Sequence, residues 1–196
     1  MSILQKILSY LPFGSDNKHR ILAHNIYVGL VEDARNPETF TKCKVEDTVD
    51  GRFDIIVLHL SLFLRRMKQA KETVSGQTAE DLELLSQELV GVYNTDMDRN
   101  LREIGVGDMS VGKHVKKMAK AFYGRLLAYD EALNKFDDNN DQGLLRQSLT
   151  RNIYRGEVGE DALNEMVLYV VAYGKHLDSV SIDSLMMGEF PKYTNN

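Results

Sequence analysis

The feature that most restricts the fold is a continuous apolar stretch, FDIIVLHLSLFLRRM, which covers residues 53–67. A helix of this length spans about 22 Å, which is short of the roughly 30 Å hydrocarbon core of a bilayer. The stretch ends in Arg65 and Arg66, and cations are favourable at the C-terminal end of a helix. We therefore predict a buried central helix rather than a membrane span. The β-branched residues 55–57 leave a buried strand as the alternative.

Helical spacing of apolar residues continues through most of the chain. Asn36 and Pro37 end the first helix, and Thr78 followed by Asp81 resembles a capping box. The fold class is therefore predicted to be all-α, a single domain of six to seven helices around the helix at 53–67. The other predicted helices are 18–35, 78–104, 112–135, 144–155 and 160–177, with loops at 45–54 and 137–143.

The expected organisation has three parts. Residues 1–18 form an N-terminal amphipathic segment, 19–177 the helical domain and 178–196 a tail. In the first part, apolar residues recur at helical spacing until Pro12 and Gly14 end the run. They predict either a short helix packed on the core or a short amphipathic helix lying in a membrane interface, which we call the N-terminal foot. These residues are Ile3, Leu4, Ile7, Leu8 and Leu11.

The composition gives no sign of a catalytic or metal centre. Cys43 is the only cysteine, so neither a disulfide framework nor a multi-cysteine zinc site can form within the chain. The five histidines show no paired ligand spacing, and His59 is expected to be a hydrogen-bonded core residue. A net charge of −5 does not favour DNA as a partner. We predict a non-enzyme without metal or cofactor, and a free thiol at Cys43.

One segment, GDMSVGKHVKK at 107–117, nearly matches a phosphate-binding loop. Gly107, Gly112 and Lys113 have the required spacing, but His114 occupies the position of the Ser or Thr that binds Mg²⁺. The residues before Gly107 are charged and amphipathic, whereas such a loop follows a buried strand. A nucleotide site is therefore not expected here.

The glycines of this segment predict a helix junction instead. Glycine tolerates positive φ, so Gly105, Gly107 and Gly112 can end one helix and begin the next at a fixed angle. Asp108 or Ser110 could cap the second helix.

Lysines dominate one face of the helix that follows. At 100° per residue they lie opposite the apolar positions, and Arg125 lies to one side. Residues 99–126 contain seven basic and two acidic side chains, a local charge of +5. This pattern favours a docking surface for an anionic membrane, RNA or an acidic protein over a merely solvated face. The lysines are Lys113, Lys116, Lys117 and Lys120.

Two long segments of the sequence are similar to the signature blocks of the ubiquinol–cytochrome c chaperone family. The two main ones are DTVDGRFDIIVLHLSLFLRRM at 47–67 and DMDRNLREIGVGDMSVGKHVKKMAKAFYGRLLAYDEAL at 96–133. IYVGLVEDARNPETF at 26–40 and LLRQSLTRNIYRG at 144–156 also resemble the family, so the likeness covers roughly 20–175.

The resemblance implies an all-α assembly factor for respiratory complex III whose client is newly made cytochrome b. It implies no catalytic residues. The chain begins close to the family domain without an evident presequence, which indicates the bacterial form, located in the cytoplasm or peripherally on the inner membrane. An anionic membrane surface is a further expected partner. A ribosome- or RNA-associated adaptor that uses the basic helix 113–125 is the alternative function.

Overall fold

The structure is a computed structural model that describes residues 17–194, apart from the side chains of Asn17, Asp108 and Met109. Within this range the chain forms eight helices and no strand, which confirms the all-α prediction. Residues 1–16 of the N-terminal segment predicted at 1–18 lie outside the described residues. The helices are α1 (Asn17–Ala34), α2 (Pro37–Thr41), α3 (Val49–Thr73), α4 (Gln77–Glu103), α5 (Asp108–Asn139), α6 (Gly143–Asn152), α7 (Glu160–Ser179) and α8 (Ile182–Met186).

The described chain divides into two compact units. The first contains the described residues up to Val28, together with Met67–Ala121 and Ile182–Phe190. The second contains Gly29–Arg66, Phe122–Ser181 and the tail from Pro191 onward. None of the described helices has both the length and the apolar character needed to cross a bilayer.

The apolar stretch 53–67 lies within α3, as predicted, and the strand alternative is wrong. Its residues are buried on every side of the helix, in the core of the second unit. Burying one such side chain contributes about 2 kcal/mol, which explains why an all-round apolar helix is stable there. The fully buried apolar residues are Ile55, Val57, Leu58, Leu60 and Phe63.

The start of α3 differs from the prediction of a loop at 45–54. The helix begins at Val49, because the Thr48 hydroxyl accepts a hydrogen bond from the Gly51 N–H at 3.1 Å and caps the first turn. A Cβ at Gly51 would lie 2.0 Å from the Glu46 carbonyl oxygen, so only glycine allows this close approach. Thr48 was the sequence signal that the loop prediction overlooked.

In the first unit, α4 begins one residue before Thr78, and the predicted capping box is wrong. Gly76 precedes the helix with a φ of +62° and provides no side-chain cap, while Gln77 donates to Asp81 at 2.8 Å. The apolar face of α4 is buried as predicted at Leu82, Leu85, Leu89 and Tyr93. Tyr27 of α1 donates to Asp96 of α4 at 2.9 Å, and Lys71 of α3 to Glu83 of α4 at 2.7 Å.

Helix α5 is longer at both ends than its predicted range of 112–135. It begins at Asp108 and continues to Asn139, so the predicted loop at 137–143 contracts to residues 140–142. The last turns are held by Arg65 of α3, which lies 2.7 Å from Asp137 and 2.8 Å from the Asn134 side chain. Since these partners are distant in sequence, local composition could not indicate that the acidic segment stays helical.

Candidate interaction surface and buried polar core

The glycine-rich segment joins α4 to α5 through a recognisable helix end. Gly105 has a φ of +89°. Its N–H donates to the Arg102 carbonyl at 3.0 Å, and the Val106 N–H donates to the Leu101 carbonyl at 3.0 Å. These two bonds define a Schellman motif, which requires a left-handed residue at the position of Gly105. The predicted role of Gly105 at the end of the first helix agrees with this geometry.

The start of α5 follows immediately. The Gly107 carbonyl accepts from the N–H groups of Ser110 at 2.9 Å and Val111 at 3.0 Å. The Ser110 hydroxyl donates to the same carbonyl at 3.0 Å, so Ser110 is not the cap of this helix. Asp108 is the first residue of α5, and its side chain is not described. Gly112 lies in the second turn of α5 rather than at the junction.

This arrangement is unlike a phosphate-binding loop. Residues 108–113 are helical. A phosphate-binding loop follows a buried strand, whereas this segment follows helix α4. The near-match in sequence therefore has no corresponding local fold.

The first half of α5 contains four lysines that form what we call the lysine face: Lys113, Lys116, Lys117 and Lys120. All four are exposed, while Val111 on the other side of the helix is buried. None of the four pairs with a described carboxylate. The lysine face is therefore a set of cations that the described part of the fold leaves open to solvent.

The arginines of the same basic segment have a different environment. On α4, Arg99 lies 2.8 Å from Asp96 and Arg102 lies 2.7 Å from Asp98. Pairs of this kind within one helix contribute only a few tenths of a kcal/mol each. They nevertheless neutralise these arginines, so the local positive charge is concentrated on the lysine face.

Arg125 does not belong to the lysine face in the structure. Its side chain is 17% exposed, its guanidinium lies 2.8 Å from Asp54 Oδ1, and the side chain of Asp54 is 1% exposed. The guanidinium carbon also lies 5.6 Å from the centre of the Phe53 ring, within range of a cation–π contact. The structure thus gives Arg125 an internal role, and we leave it out of the proposed binding surface.

Asp54 is bound by a second arginine in the same unit. Arg155 donates to Asp54 Oδ2 at 3.1 Å and to Asp50 Oδ2 at 2.9 Å. Burial raises the pKa of Asp54, and the two arginines oppose that rise. Arg155 has a φ of +58°, which is uncommon for a residue with a side chain. The turn between α6 and α7 therefore directs its guanidinium at the buried carboxylate.

His59 is the buried histidine predicted from the sequence. Its Nδ1 lies 2.8 Å from the Ile55 carbonyl and its Nε2 lies 2.8 Å from the Tyr169 hydroxyl. Because a carbonyl can only accept, Nδ1 carries the proton and Nε2 accepts from Tyr169. Burial lowers the pKa of His59 to about 4. The expectation of a hydrogen-bonded core histidine is confirmed.

Asp33 connects the tail to the same core. Its carboxylate accepts from the Tyr173 hydroxyl at 3.0 Å and from the Tyr193 N–H at 3.1 Å. Burial raises the pKa of Asp33, and these two donors oppose the rise. The Tyr193 ring lies 5.2 Å from that of Tyr173 and 5.3 Å from that of His176. We call Asp33, Asp54 and His59, with their partners, the buried polar core; sequence spacing gave no signal for Tyr193.

Cys43 is a buried free thiol, as predicted. Burial raises its pKa to about 12, so it is protonated at neutral pH and unreactive as a nucleophile. Within the part of the chain that the structure describes, no three His, Cys, Asp or Glu residues are grouped to hold a metal ion.

Together these features define an all-α protein. The groups of its buried polar core form hydrogen bonds and ion pairs within the chain, and the lysine face lies in its first unit. The family model for the ubiquinol–cytochrome C chaperone matches residues 41–193. A crystal structure of the Cbp3 homolog from Brucella abortus is 31% identical and has a TM-score of 0.73, covering 99% of this chain and 97% of that one. The chain belongs to the ubiquinol–cytochrome c chaperone family.

Curated relatives agree with this assignment. The ubiquinol-cytochrome c reductase complex assembly factor 1 proteins of Mus musculus and Homo sapiens are 28% and 29% identical over 171 residues, 87% of this chain. The chain spans about half the length of these two relatives, at 54% and 53%. The Xenopus laevis counterpart is 24% identical, and the match covers 79% of its length.

Proposed function

We propose that the protein is an assembly chaperone for ubiquinol–cytochrome c reductase, respiratory complex III, and that its client is newly made cytochrome b. The observation that carries this proposal is the family match over residues 41–193, which includes α3 to α8. The names of the curated relatives, which are assembly factors of that complex, support it. A non-catalytic role is consistent with the family description.

We further propose that the lysine face contacts an anionic membrane surface or the polar loops of a membrane-protein client. Each exposed lysine near an anionic bilayer surface contributes about 1 kcal/mol of attraction. Four such residues on one face of α5, unpaired with described carboxylates, can therefore hold the protein weakly at a membrane or at polar loops of a membrane-protein client. Such contact is reversible and depends on salt, which suits a chaperone that must leave its client.

The direct test of the proposed function is deletion of the gene in cells that encode it. We expect assembled complex III to fall strongly on native gels while the other respiratory complexes stay at their usual amounts. Re-expression of the wild-type chain should restore complex III. Normal complex III in the deletion strain would contradict the proposed function.

The N-terminal foot remains a proposal for residues that the structure does not describe. If Ile3, Leu4, Ile7, Leu8 and Leu11 lie in a membrane interface, deleting residues 2–12 should move the protein from the membrane fraction to the supernatant. The matched comparison is the full-length chain with the same lysine face, fractionated in parallel. Unaltered fractionation would remove the foot from the account.

A ribosome- or RNA-associated adaptor remains the second candidate, because exposed lysines also attract nucleic-acid phosphates. It predicts that the protein sediments with ribosomes at low salt and is released at high salt. A protein that stays out of the ribosome pellet at low salt would leave the chaperone as the only candidate of the two.

A further inference from the structure

An open groove of about 360 Å³ lies on the second unit, remote in sequence from the lysine face. One wall contains Glu38 of α2 and the following Lys42, which form an ion pair. The other wall is the solvent-facing side of α7. The buried side chains of Cys43 and Tyr169 line it from within.

The α7 wall has the spacing of a helix-packing seam. Glu165, Leu168, Ala172 and Lys175 are separated by three, four and three residues, so they lie along one face of the helix. The opposite side of α7 is buried, whereas Leu168 on this face is 64% exposed. An apolar centre with a charge at each end is the pattern that a second helix recognises when it packs against a first.

The charges of the groove exclude some occupants. Its rim contains two glutamates and two lysines and has no net charge. Phosphate-rich surfaces such as nucleic acid or anionic lipid would meet as much repulsion as attraction there. A polypeptide that carries both signs can satisfy Glu165 and Lys175 at the same time.

The length and polarity of the seam restrict the occupant further. Glu165 and Lys175 are ten positions apart on α7, which is about 15 Å or nearly three turns. A helix is most stable with acidic residues in its first turn and basic residues in its last. A partner helix built that way satisfies both ends of the seam when it lies antiparallel to α7.

We propose that this groove binds an amphipathic α-helix of a partner protein, antiparallel to α7. The acidic first turn of that helix lies next to Lys175, its apolar side chains cover Leu168 and Ala172, and its basic last turn lies next to Glu165. The proposal goes beyond the chaperone function because it concerns a different surface and does not depend on the identity of the client.

The test uses a fluorescent helical peptide of about 16 residues with acidic residues in the first turn, leucines at seam spacing and basic residues in the last turn. Binding is followed by fluorescence anisotropy with the full chain. We expect saturable binding to the wild type. Leu168→Asp should weaken binding at least about tenfold, and Leu168→Ala by a smaller factor.

The matched control is Leu127→Asp, since Leu127 is an exposed leucine of the same unit, at 44%. This variant should bind within about twofold of the wild type. Circular dichroism of each variant checks that the fold is intact. Lack of saturable binding up to about 1 mM, or equal losses for Leu168→Asp and Leu127→Asp, would overturn the proposal.

A charge exchange makes the test specific for the seam. A second peptide with basic residues at both ends should bind the wild type more weakly than the first, and Lys175→Glu should reverse that preference. An unchanged preference overturns the proposed contact at Lys175.

Sedimentation of the protein alone provides the remaining check. A dimer that Leu168→Asp dissociates would assign the groove to a second copy of this chain and overturn the proposal of a helix from another protein. Because none of these measurements involves complex III, their outcome is independent of the deletion test above.

Discussion

Helix α5 carries basic side chains along its length. The four lysines of the lysine face are exposed to solvent, whereas Arg125 contacts a buried carboxylate. The lysines pair with no described acid. Arg125 shares Asp54 with Arg155, and further along the helix Asp130 and Asp137 pair with Arg65. One helix therefore has a region whose charges are available to a partner and a region whose charges bind the rest of the second unit.

The difference follows from the cost of removing charge from water. A buried ion needs a partner of opposite sign and well-placed hydrogen bonds, and the planar guanidinium of arginine provides both. A lysine ammonium is strongly hydrated and is most stable where water reaches it. We therefore expect substitutions in the buried polar core to change stability, and substitutions in the lysine face to change binding.

The largest effect is expected at Asp54. Asp54→Ala leaves Arg125 without its buried partner and should lower the free energy of unfolding by about 4 kcal/mol, measured by urea denaturation. Asp50→Ala is the matched control, because Asp50 also binds Arg155 but is largely exposed, and it should cost less than about 1 kcal/mol. Equal losses for the two variants would show that the Asp54 pair is not part of a buried core.

The next effect concerns pH and His59. The folded state keeps His59 neutral down to about pH 4, whereas the unfolded chain protonates this histidine below about 6.5. The unfolded state therefore binds more protons in that window, and stability falls as the pH drops from 6.5 to 4, by about 3 kcal/mol from this residue.

His59→Gln should remove this contribution. Its unfolding free energy should decline less than that of the wild type over the same window, whatever its value at pH 7. The raised pKa values of Asp33 and Asp54 act in the opposite direction and are common to both proteins. Parallel pH profiles would contradict a neutral buried His59.

A smaller loss is expected for the tail. Tyr193→Ala removes the ring that contacts Tyr173 and His176 and should destabilise the protein by about 2 kcal/mol in thermal or urea unfolding. Tyr193→Phe retains the ring and the N–H bond to Asp33, so it should cost about 1 kcal/mol or less. If the alanine variant were as stable as the phenylalanine variant, the tail would not contribute to the buried polar core.

The smallest effect on stability is expected for the lysine face. Replacing Lys113, Lys116, Lys117 and Lys120 together by Glu should change the unfolding free energy by less than about 1 kcal/mol, because all four are exposed. A larger loss in urea denaturation would mean that these lysines stabilise the fold, and the contrast between the two regions of α5 would fail.

The fold was largely predictable because periodicity and the apolar stretch 53–67 are local signals. The burial of His59 followed from its position within that stretch. The start of α3 was missed because Thr48 caps it, and the end of α5 because Arg65 holds residues that read locally as a loop.

The site was predicted less completely. Exposure of the lysines followed from helical geometry. The internal role of Arg125, which lies to one side of them, depends instead on Asp54, seventy-one positions earlier in the chain. The anchoring of Tyr193 by Asp33 likewise depends on residues far apart in sequence. Contacts of this kind arise from tertiary packing, which composition and spacing do not encode locally.

The central claim, that the lysine face is a contact surface for a membrane-protein client, is tested most directly by co-purification. Two variants are compared with the wild type: in the four-Glu protein all four lysines of the lysine face are replaced by Glu, and in the four-Arg protein by Arg. Each tagged protein is recovered from detergent-solubilised membranes of cells that encode the chain, and cytochrome b is quantified in each. We predict enrichment with the wild type and the four-Arg protein at low salt, and a loss of at least about fivefold with the four-Glu protein. Recovery of as much cytochrome b with the four-Glu protein as with the wild type would contradict the account.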